Sequence, residues 1–233
     1  LAKLGMPAFK VASGDLKNIP LLTHMAQVGK PMILSTGGGT MQDVNRAYDA
    51  VMPINPQLCV LQCTAGYPAA FEELNLRVIT TFRERFPQLV VGLSSHDNGI
   101  AMALAAYMLG ARVVEKHFTL NHTWKGTDHA CSLEPSGLQK MVRDLRRARV
   151  AMGDGVKRVY DSEVTPMVKM GKQMVAARDL PAGHAIRRED IAIKSPGGGL
   201  QPYEIDKVIG RTTRAALKAD DAILFEALNG AEN

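Results

Sequence analysis

The chain has 233 residues, of which 46% are hydrophobic and 22% charged, a composition typical of a globular protein with one large domain or two smaller ones. It has no apolar run of about 18 residues and no charged-then-apolar leader, so we expect no membrane span, no signal peptide and a cytoplasmic location. The mild net charge of +5 favours small anionic substrates over nucleic acid. The cysteines Cys59, Cys63 and Cys131 are odd in number and lack CxxC spacing, which indicates free thiols.

One unit repeats from the N-terminus: a short apolar strand, a polar or glycine-rich turn, then a helix. Apolar runs predict strands at residues 9–12, 32–34, 58–62, 90–93 and 112–115. Helical spacing predicts helices at residues 19–28, 41–51, 76–86, 100–109 and 136–152. We expect Thr40 to cap the second helix, and Asp97 or Asn98 to cap the fourth.

Strands that alternate with helices predict a parallel sheet with right-handed crossovers. Polar residues gather at the carboxyl ends of these strands: Lys10, Ser13, Ser35, Thr64, Tyr67, Ser94, His96 and His117. A TIM-type (β/α)8 barrel and a doubly wound open sheet both bind ligands at the carboxyl ends of their strands. The pattern therefore predicts an α/β fold with a site at that edge and leaves the two architectures open.

The repeating pattern ends after Met152. Residues 153–170 contain Gly, Pro and mixed charge without a clear period, which indicates a linker between a first domain, 1–152, and a second, 171–233. The second domain has short segments and turns at 181–183 and 196–199. Such a small, loop-rich module has little core of its own, so we expect it to rest on a partner surface.

Three strand ends offer an anion-binding environment. Ser13, Ser35 and Ser94 stand beside glycines or just before a helix, where backbone N–H groups attract phosphate or carboxylate. Lys10 could neutralise the charge of such a ligand. A glycine run alone is more often only a tight turn, but three such ends on neighbouring strands favour an anion site.

Histidines follow two consecutive predicted strands. His96 comes after 90–93 and His117 after 112–115. Neighbouring parallel strands lie about 4.8 Å apart, so imidazoles at matching ends could converge on one metal ion. It is equally consistent with the sequence that the two histidines are unrelated and only bond to carbonyl groups.

The loop that follows His117 carries further candidates. Asp128 could be a third metal ligand, a partner that orients a histidine, or an acceptor for sugar hydroxyls, while Trp124 could simply fill a gap. Asp15 and Tyr67 are similar candidates at the rim, with turn or cap roles as the alternative. Cys63 shows no base at the spacing of an activated nucleophile, so we assign it no catalytic role.

A series of motifs runs along nearly the whole chain in the order KVASGDLKNIPLL, KPMILSTG, LQCTAGYP, GLSSH, VEKHFT, KGTDHACSLEP and IKSPGGG. In this order they resemble the sialic acid synthase family, which makes N-acetylneuraminate and related nonulosonic acids. The resemblance implies the last five strand–helix units of a TIM-type barrel, followed by an antifreeze-like SAF domain. The TWKGTDH sequence is similar to the animal-type branch, whose sugar substrate is the 6-phosphate.

The resemblance implies a condensation of phosphoenolpyruvate with N-acetylmannosamine or its 6-phosphate. The enol carbon attacks the open-chain aldehyde, water adds to the resulting oxocarbenium, and phosphate leaves. His96 and His117 would bind one divalent metal, Mn²⁺ first, with Mg²⁺ or Co²⁺ as alternatives. The resemblance assigns phosphoenolpyruvate to Lys10, Ser13, Ser35 and Ser94, and the aminosugar to Asp15, Tyr67 and Asp128. Four of these residues are implied as catalytic: His96, His117, Lys10 and Asp128.

The tail resembles the antifreeze-like domain of the family, which reaches across a dimer and covers the active site of the partner subunit. We therefore expect a domain-swapped homodimer. Members of the KRPG type carry an arginine in this tail, but this chain has Ser195, preceded by Lys194. Either residue could take over the role of that arginine.

Two other departures from the family pattern matter. The family pattern begins about a hundred residues earlier, with three further strands, a glutamate near the metal and another lysine for phosphoenolpyruvate. Five strands cannot close an eight-stranded barrel. The asparagine that many bacterial members carry after Cys-Thr is Ala65 here, so one phosphoenolpyruvate contact is lost.

Several interpretations remain open at this point. The chain could be part of a longer synthase, it could receive the missing strands from another chain, or it could be a truncated, non-catalytic homologue that binds sugar or phosphate anions. A different phosphoenolpyruvate-condensing synthase on the same barrel is a further possibility, but those relatives generally lack the antifreeze-like tail.

Overall fold

The computed structural model describes residues 2–230. The chain forms two compact units, the first ending at Asp154 and the second beginning at Gly155. Each unit has its own buried apolar cluster. The fold of each therefore rests on its own core.

The first unit contains a five-stranded parallel sheet whose strand order equals the order along the chain. The strands are β1 Phe9–Val11, β2 Met32–Ser35, β3 Leu58–Cys63, β4 Val90–Ser95 and β5 Val113–Lys116. Lys10 on β1 and Glu115 on β5 approach each other to 3.4 Å between Nζ and Oε2. The sheet is therefore curled into a half-barrel, because side chains from its first and last strands meet.

A helix follows each strand of the sheet. The helices are α1 Ile19–Gln27, α2 Met41–Val51, α3 Val78–Arg85, α4 Ala101–Met108 and α5 Pro135–Ala151. In α2, the buried residues Val44, Ala47 and Val51 recur at helical spacing and join the core that also contains β3 residues Leu58 and Val60. Burial of one helical face against the sheet is what holds each unit of the repeat in place.

The helix starts show how the sequence fixes local structure. Thr40 forms a capping box with Asp43, in which each side chain bonds to the backbone N–H of the other residue, so the predicted Thr40 cap is confirmed. The predicted cap of α4 by Asp97 or Asn98 is wrong. The N-cap of α4 is Ile100, which makes no side-chain cap bond, and the Asp97 carboxylate instead binds Lys116.

The second unit begins with a helix and continues as a loop-rich module. Helix α6, Asp161–Met170, lies in the stretch without a clear period and includes Pro166. The strands that follow are β6 Gln173–Ala176, β7 Ile191–Lys194, β8 Thr212–Thr213 and β9 Leu228–Asn229, which pair antiparallel as β6–β7 and β8–β9. Met174, Ile186, Val208 and Ile223 are almost fully buried in its core.

A buried carboxylate links several loops of the second unit. Asp190 is fully buried and accepts hydrogen bonds from Arg178, His184 and the backbone N–H of Arg187, at 2.6 to 2.9 Å. Burial disfavours its ionised form, but these bonds outweigh burial and hold the pKa of Asp190 well below its ordinary value. Among residues 2–230, no helix is long and apolar enough to cross a membrane.

Candidate functional site

Polar side chains from the sheet converge at the carboxyl ends of the strands. Ser94 on β4 lies opposite Glu115 on β5 in the parallel register, and the Ser94 hydroxyl donates to Glu115 Oε1 at 2.8 Å. Lys10, from the other edge of the half-barrel, contacts the second oxygen of the same carboxylate. Side chains from β1, β4 and β5 thus form one cluster.

The turn after β2 packs against the turn after β1. The Gly37 N–H donates to Ser13 Oγ at 2.9 Å, and Ser13 Oγ also lies 3.5 Å from Cys63 Sγ. A Cβ atom at Gly37 would lie 2.8 Å from Ser13 Oγ and 2.9 Å from the Ala65 Cβ. Glycine is therefore required here by close approach rather than by an unusual backbone angle.

Ser35 has an unusual environment for a hydroxyl group. Its side chain is buried, and Ser35 Oγ makes no hydrogen bond in the part of the chain that the structure describes. A buried polar atom without a partner costs roughly 1–3 kcal/mol. Such an atom at the end of β2 suits a bound anion, which would accept a hydrogen bond from the hydroxyl.

The two histidines lie side by side. The ring centroids of His96 and His117 are 5.1 Å apart, with the rings nearly perpendicular. His96 Nδ1 lies 2.9 Å from the carbonyl oxygen of Thr64. A carbonyl can only accept, so Nδ1 donates and Nε2 is the nitrogen that could bind a metal.

Asp128 stands behind His117 rather than apart from it. His117 Nδ1 and Asp128 Oδ2 are 3.7 Å apart, which is ion-pair range but longer than the 2.9 Å hydrogen bond from His96 Nδ1 to the Thr64 carbonyl. Carboxylates in this position orient a metal-binding imidazole. Of the three roles open for Asp128, this distance favours the partner that orients a histidine.

Tyr67 lies over the histidine pair. Its ring centroid is 4.1 Å from that of His96 and 5.5 Å from that of His117, while about half of the residue remains exposed. Burial first, and then the nearby Cys63 and Asp128, raise the pKa of Tyr67. The phenol therefore stays protonated at neutral pH and can donate to a ligand at the mouth of the site.

Cys63 has a base beside it, which its sequence spacing did not reveal. Burial opposes ionisation of Cys63, but hydrogen bonds from His96, Ser13 and Ser94 lower the pKa of the thiol. The same bond from Cys63 is the largest cause that raises the pKa of His96. Spacing along the chain did not indicate this base because His96 follows β4, the strand that neighbours β3 in the sheet.

Two predicted residues are less closely tied to this cluster. Asp15 accepts a hydrogen bond from Asn18 at 3.2 Å, a local contact within its own turn. Trp124 packs edge-on against His129, with ring centroids 5.7 Å apart, and about half of its surface is exposed. Asp15 remains a rim candidate on its position alone.

The described residues offer part of a metal site. No group of three or more His, Cys, Asp or Glu side chains within residues 2–230 could hold a metal ion. His96 and His117 could supply two nitrogen ligands to one ion, since their rings lie side by side and the Nδ1 bond of His96 leaves its Nε2 available. The donor set therefore fits a divalent cation whose other ligands come from elsewhere.

Sequence reasoning missed Glu115 and the pair formed by Asp97 and Lys116. The alternation of a strand was the available signal, because it puts Glu115 and His117 on one face of VEKHF and Lys116 on the other. Lys116 Nζ lies 3.0 Å from Asp97 Oδ1, and both side chains are nearly inaccessible. Glu115 thus belongs to the site, and Lys116 lies behind it.

Comparison with known proteins agrees with this geometry. A model of the NeuB family matches residues 1–157. This chain belongs to the NeuB family. A model of the SAF domain matches residues 174–229. The TIM-type half-barrel and the antifreeze-like tail that the motifs implied are both confirmed, and the TIM-type barrel is favoured over the open sheet.

Individual NeuB relatives cover nearly all of the chain. It is 39% identical to the N-acetylneuraminate-9-phosphate synthase of Mus musculus over 98% of its length, and 35% identical to the N,N'-diacetyllegionaminic acid synthase of Legionella pneumophila over 97%. It spans 64% and 65% of those relatives. The N-acetylneuraminic acid synthetase of Leptospira borgpetersenii superposes with a TM-score of 0.65 at 32% identity, over 72% of this chain and 58% of that one.

The residues that replace the tail arginine are engaged within the second unit. Ser195 Oγ donates to the Gly171 carbonyl at 2.9 Å and accepts from Lys172 Nζ at 2.6 Å. Lys194 forms an ion pair with Asp220, and both side chains are more than half exposed. Exposed ion pairs are weak, so Lys194 is the more readily released of the two.

Proposed function

We propose that the chain belongs to a nonulosonate synthase that condenses phosphoenolpyruvate with N-acetylmannosamine or its 6-phosphate. The products are N-acetylneuraminate, or its 9-phosphate, and inorganic phosphate. The observation that carries the proposal is the convergence, in a NeuB chain, of the His96–His117 pair with the Lys10–Ser94–Glu115 cluster. A cation site beside an anion site is what this pair of substrates requires.

Phosphoenolpyruvate would bind at the strand ends of β1, β2 and β4. Lys10 would neutralise its charge, the unpartnered Ser35 hydroxyl would donate to it, and Ser13 and Ser94 would contact its phosphate and carboxylate. Glu115 accepts from Ser94 and contacts Lys10, so it fixes both groups before the ligand arrives. Such preorganised donors are effective in catalysis because they need not reorient during the reaction.

The aminosugar would bind next to the histidines. Asp15, Tyr67 and Asp128 would accept from or donate to its hydroxyl and acetamido groups. This arrangement supports attack of the phosphoenolpyruvate methylene carbon on the sugar aldehyde, because both reactants would be held within one mouth. Water would then add at C2, the carbon that bears the phosphate oxygen, and the bond from that carbon to the phosphate oxygen would break.

His96 and His117 would hold a divalent cation, Mn²⁺ by preference, with Mg²⁺ or Co²⁺ as alternatives. Such an ion supplies Lewis-acid polarisation of the aldehyde when bound. The Thr64 carbonyl orients His96 and leaves its Nε2 for the cation. The His117 ring centroid lies 5.1 Å from that of His96, and this proximity supports the assignment.

We further propose a cytoplasmic homodimer in which the SAF module of one subunit covers the mouth of the other. The three cysteines are free thiols, as in most cytoplasmic proteins. Tyr203 and the Lys194–Asp220 pair are exposed on the module and could contact a partner. Light scattering of the intact protein would report the oligomeric state.

The deciding experiment is a condensation assay on the intact protein. Phosphoenolpyruvate is mixed with N-acetylmannosamine or its 6-phosphate and Mn²⁺, phosphate release is followed, and the product is identified by mass spectrometry. The synthase proposal requires both phosphate and a nine-carbon acid. Phosphate release without the acid, or no turnover of either sugar, would reject it.

A further inference from the structure

A buried ion pair lies directly behind the two histidines. Asp97 follows His96 in the chain and Lys116 precedes His117. Lys116 Nζ lies 3.0 Å from Asp97 Oδ1 and donates to the Asp97 backbone carbonyl at 2.5 Å. The side chains are only 3% and 1% exposed, so the pair is part of the interior.

Strand alternation explains why the pair does not enter the site. In the parallel register Ser94 faces Glu115 and Ser95 faces Lys116. Glu115 points to the site cluster, so Lys116, one position later, projects to the opposite side of the sheet. There it binds Asp97, which also contacts the buried Ser95 hydroxyl.

The pair therefore joins the chain on either side of the histidines. The His96 carbonyl is bonded to the Ala69 N–H at 3.2 Å, and the His117 carbonyl to the Leu133 N–H at 2.7 Å. Those two bonds tie each histidine to a different loop. In addition to the β4–β5 backbone pairing, the Lys116 side chain connects the residue after His96 to the residue before His117.

Stability alone is a poor explanation for such a pair. Removing two charges from water costs several kcal/mol per ion, and a buried pair recovers this only when every polar atom is satisfied. Asp97 Oδ2 is buried and has no hydrogen-bond partner among the described residues. The pair therefore costs folding free energy, and it lies at the two strand ends that carry the histidines.

We propose that Asp97 and Lys116 are positioning residues, which fix the separation and orientation of the His96 and His117 imidazoles for a divalent cation. The inference rests on the proposed metal site and adds a role for two residues that would touch neither the cation nor the substrates. If it is correct, loss of the pair must lower the affinity for the cation even in a variant whose stability is unchanged.

The test uses the intact protein and three variants, Asp97→Asn, Lys116→Met and the double variant. Mn²⁺ affinity is measured by calorimetry, the visible spectrum of bound Co²⁺ reports ligand geometry, and unfolding temperature is measured without metal. We expect each single variant to bind Mn²⁺ roughly 10- to 100-fold more weakly. Both should also unfold at lower temperature, because each leaves one charge buried and unpaired.

The double variant separates positioning from stability. With no buried charge left, its unfolding temperature should return toward that of the wild type, whereas its Mn²⁺ affinity stays low and its Co²⁺ spectrum stays altered. Asp190→Asn is the control, since it removes the charge of a buried carboxylate in the other unit and should leave Mn²⁺ affinity unchanged.

The outcomes that overturn the inference are distinct from one another. The pair is purely structural if the double variant binds Mn²⁺ with normal affinity or cannot fold. The same conclusion follows if Mn²⁺ affinity rises and falls with unfolding temperature in all variants. If the wild-type protein binds neither Mn²⁺ nor Co²⁺, the inference falls together with the proposed metal site.

Discussion

Within residues 2–230, each of the two units buries one carboxylate, and the two carboxylates differ in how their hydrogen bonds are satisfied. Asp190 in the second unit has both oxygens bonded, by Arg178 and by His184 with the Arg187 N–H. Asp97 in the first unit shares one oxygen between Lys116 and Ser95 and leaves the other without a partner. Burial alone therefore does not distinguish a structural carboxylate from one that lies beside a functional site.

The surroundings of the two carboxylates also differ. Asp190 connects turns of a small module whose apolar core contains few residues. Asp97 sits beside strand ends where Ser35 is also unsatisfied. Groups left unsatisfied in the interior cluster where a ligand or a functional constraint compensates for them. We expect changes in the first unit to affect chemistry, and changes around Asp190 to affect stability.

The largest expected effect is on catalysis, from His96→Ala or His117→Ala. Condensation should fall at least about a thousandfold, because Lewis-acid activation contributes several kcal/mol and each 1.4 kcal/mol is about tenfold in rate. The second unit should unfold as before. His24→Ala on the exposed side of α1 is the control and should keep full activity. Metal-independent turnover that survives both changes would contradict the assignment.

Asp190→Asn should have the next largest effect, on stability alone. Loss of the charge weakens hydrogen bonds from Arg178 and His184, each worth roughly 1.5–3 kcal/mol when a charged group is involved. We expect a loss of about 2 to 3 kcal/mol in the unfolding free energy, measured with denaturant. A variant as stable as the wild type, or one with altered Mn²⁺ affinity, would break the contrast between the units.

Gly37→Ala should have a smaller effect, confined to substrate binding. The new methyl group would press on Ser13 Oγ and the Ala65 Cβ, so we expect the KM for phosphoenolpyruvate to rise about tenfold, roughly 1.4 kcal/mol. Steady-state kinetics would measure it. Gly14→Ala is the matched control, because a Cβ there meets no atom within 4 Å. Equal kinetics for the two variants would argue against an anion site at this turn.

The smallest effect is the acid response of the second unit. The folded pKa of Asp190 is depressed below its ordinary value of 3.8, so its stabilisation is complete above that value and is lost as the pH falls. Linkage gives a loss of about 0.3 kcal/mol at pH 4 and roughly 1 kcal/mol at pH 3. Denaturant unfolding of wild type and Asp190→Asn should show the difference shrinking in acid. A constant difference would contradict the depressed pKa.

Much of the fold could be predicted because its signals are local. The predicted ranges 32–34 and 58–62 became Met32–Ser35 and Leu58–Cys63, and helix Met41–Val51 was predicted to the residue together with its Thr40 cap. Apolar runs and capping chemistry act over a few residues, so the sequence contains them directly. Helix Asp161–Met170 was not predicted because it has no buried residue and hence no apolar period.

The site was harder to predict because its contacts are long-range. The Lys10–Glu115 ion pair and the approach of Cys63 to His96 depend on how far the sheet curls and on which strands become neighbours. Neither the curl of the sheet nor the order of its strands can be read from residue spacing along the chain. Asp97 shows the same limit. Its position before a helix predicted a cap, but its carboxylate binds Lys116 on the adjacent strand instead.

The order of the strands has a consequence for how the first unit assembles. Every strand pairs with its immediate predecessor along the chain, so each pairing closes a short loop and the sheet can grow stepwise during synthesis. The Lys10–Glu115 contact is different, because it joins the first strand to the last. We expect the polar cluster at the mouth to form late in folding, after the hydrophobic framework is already in place.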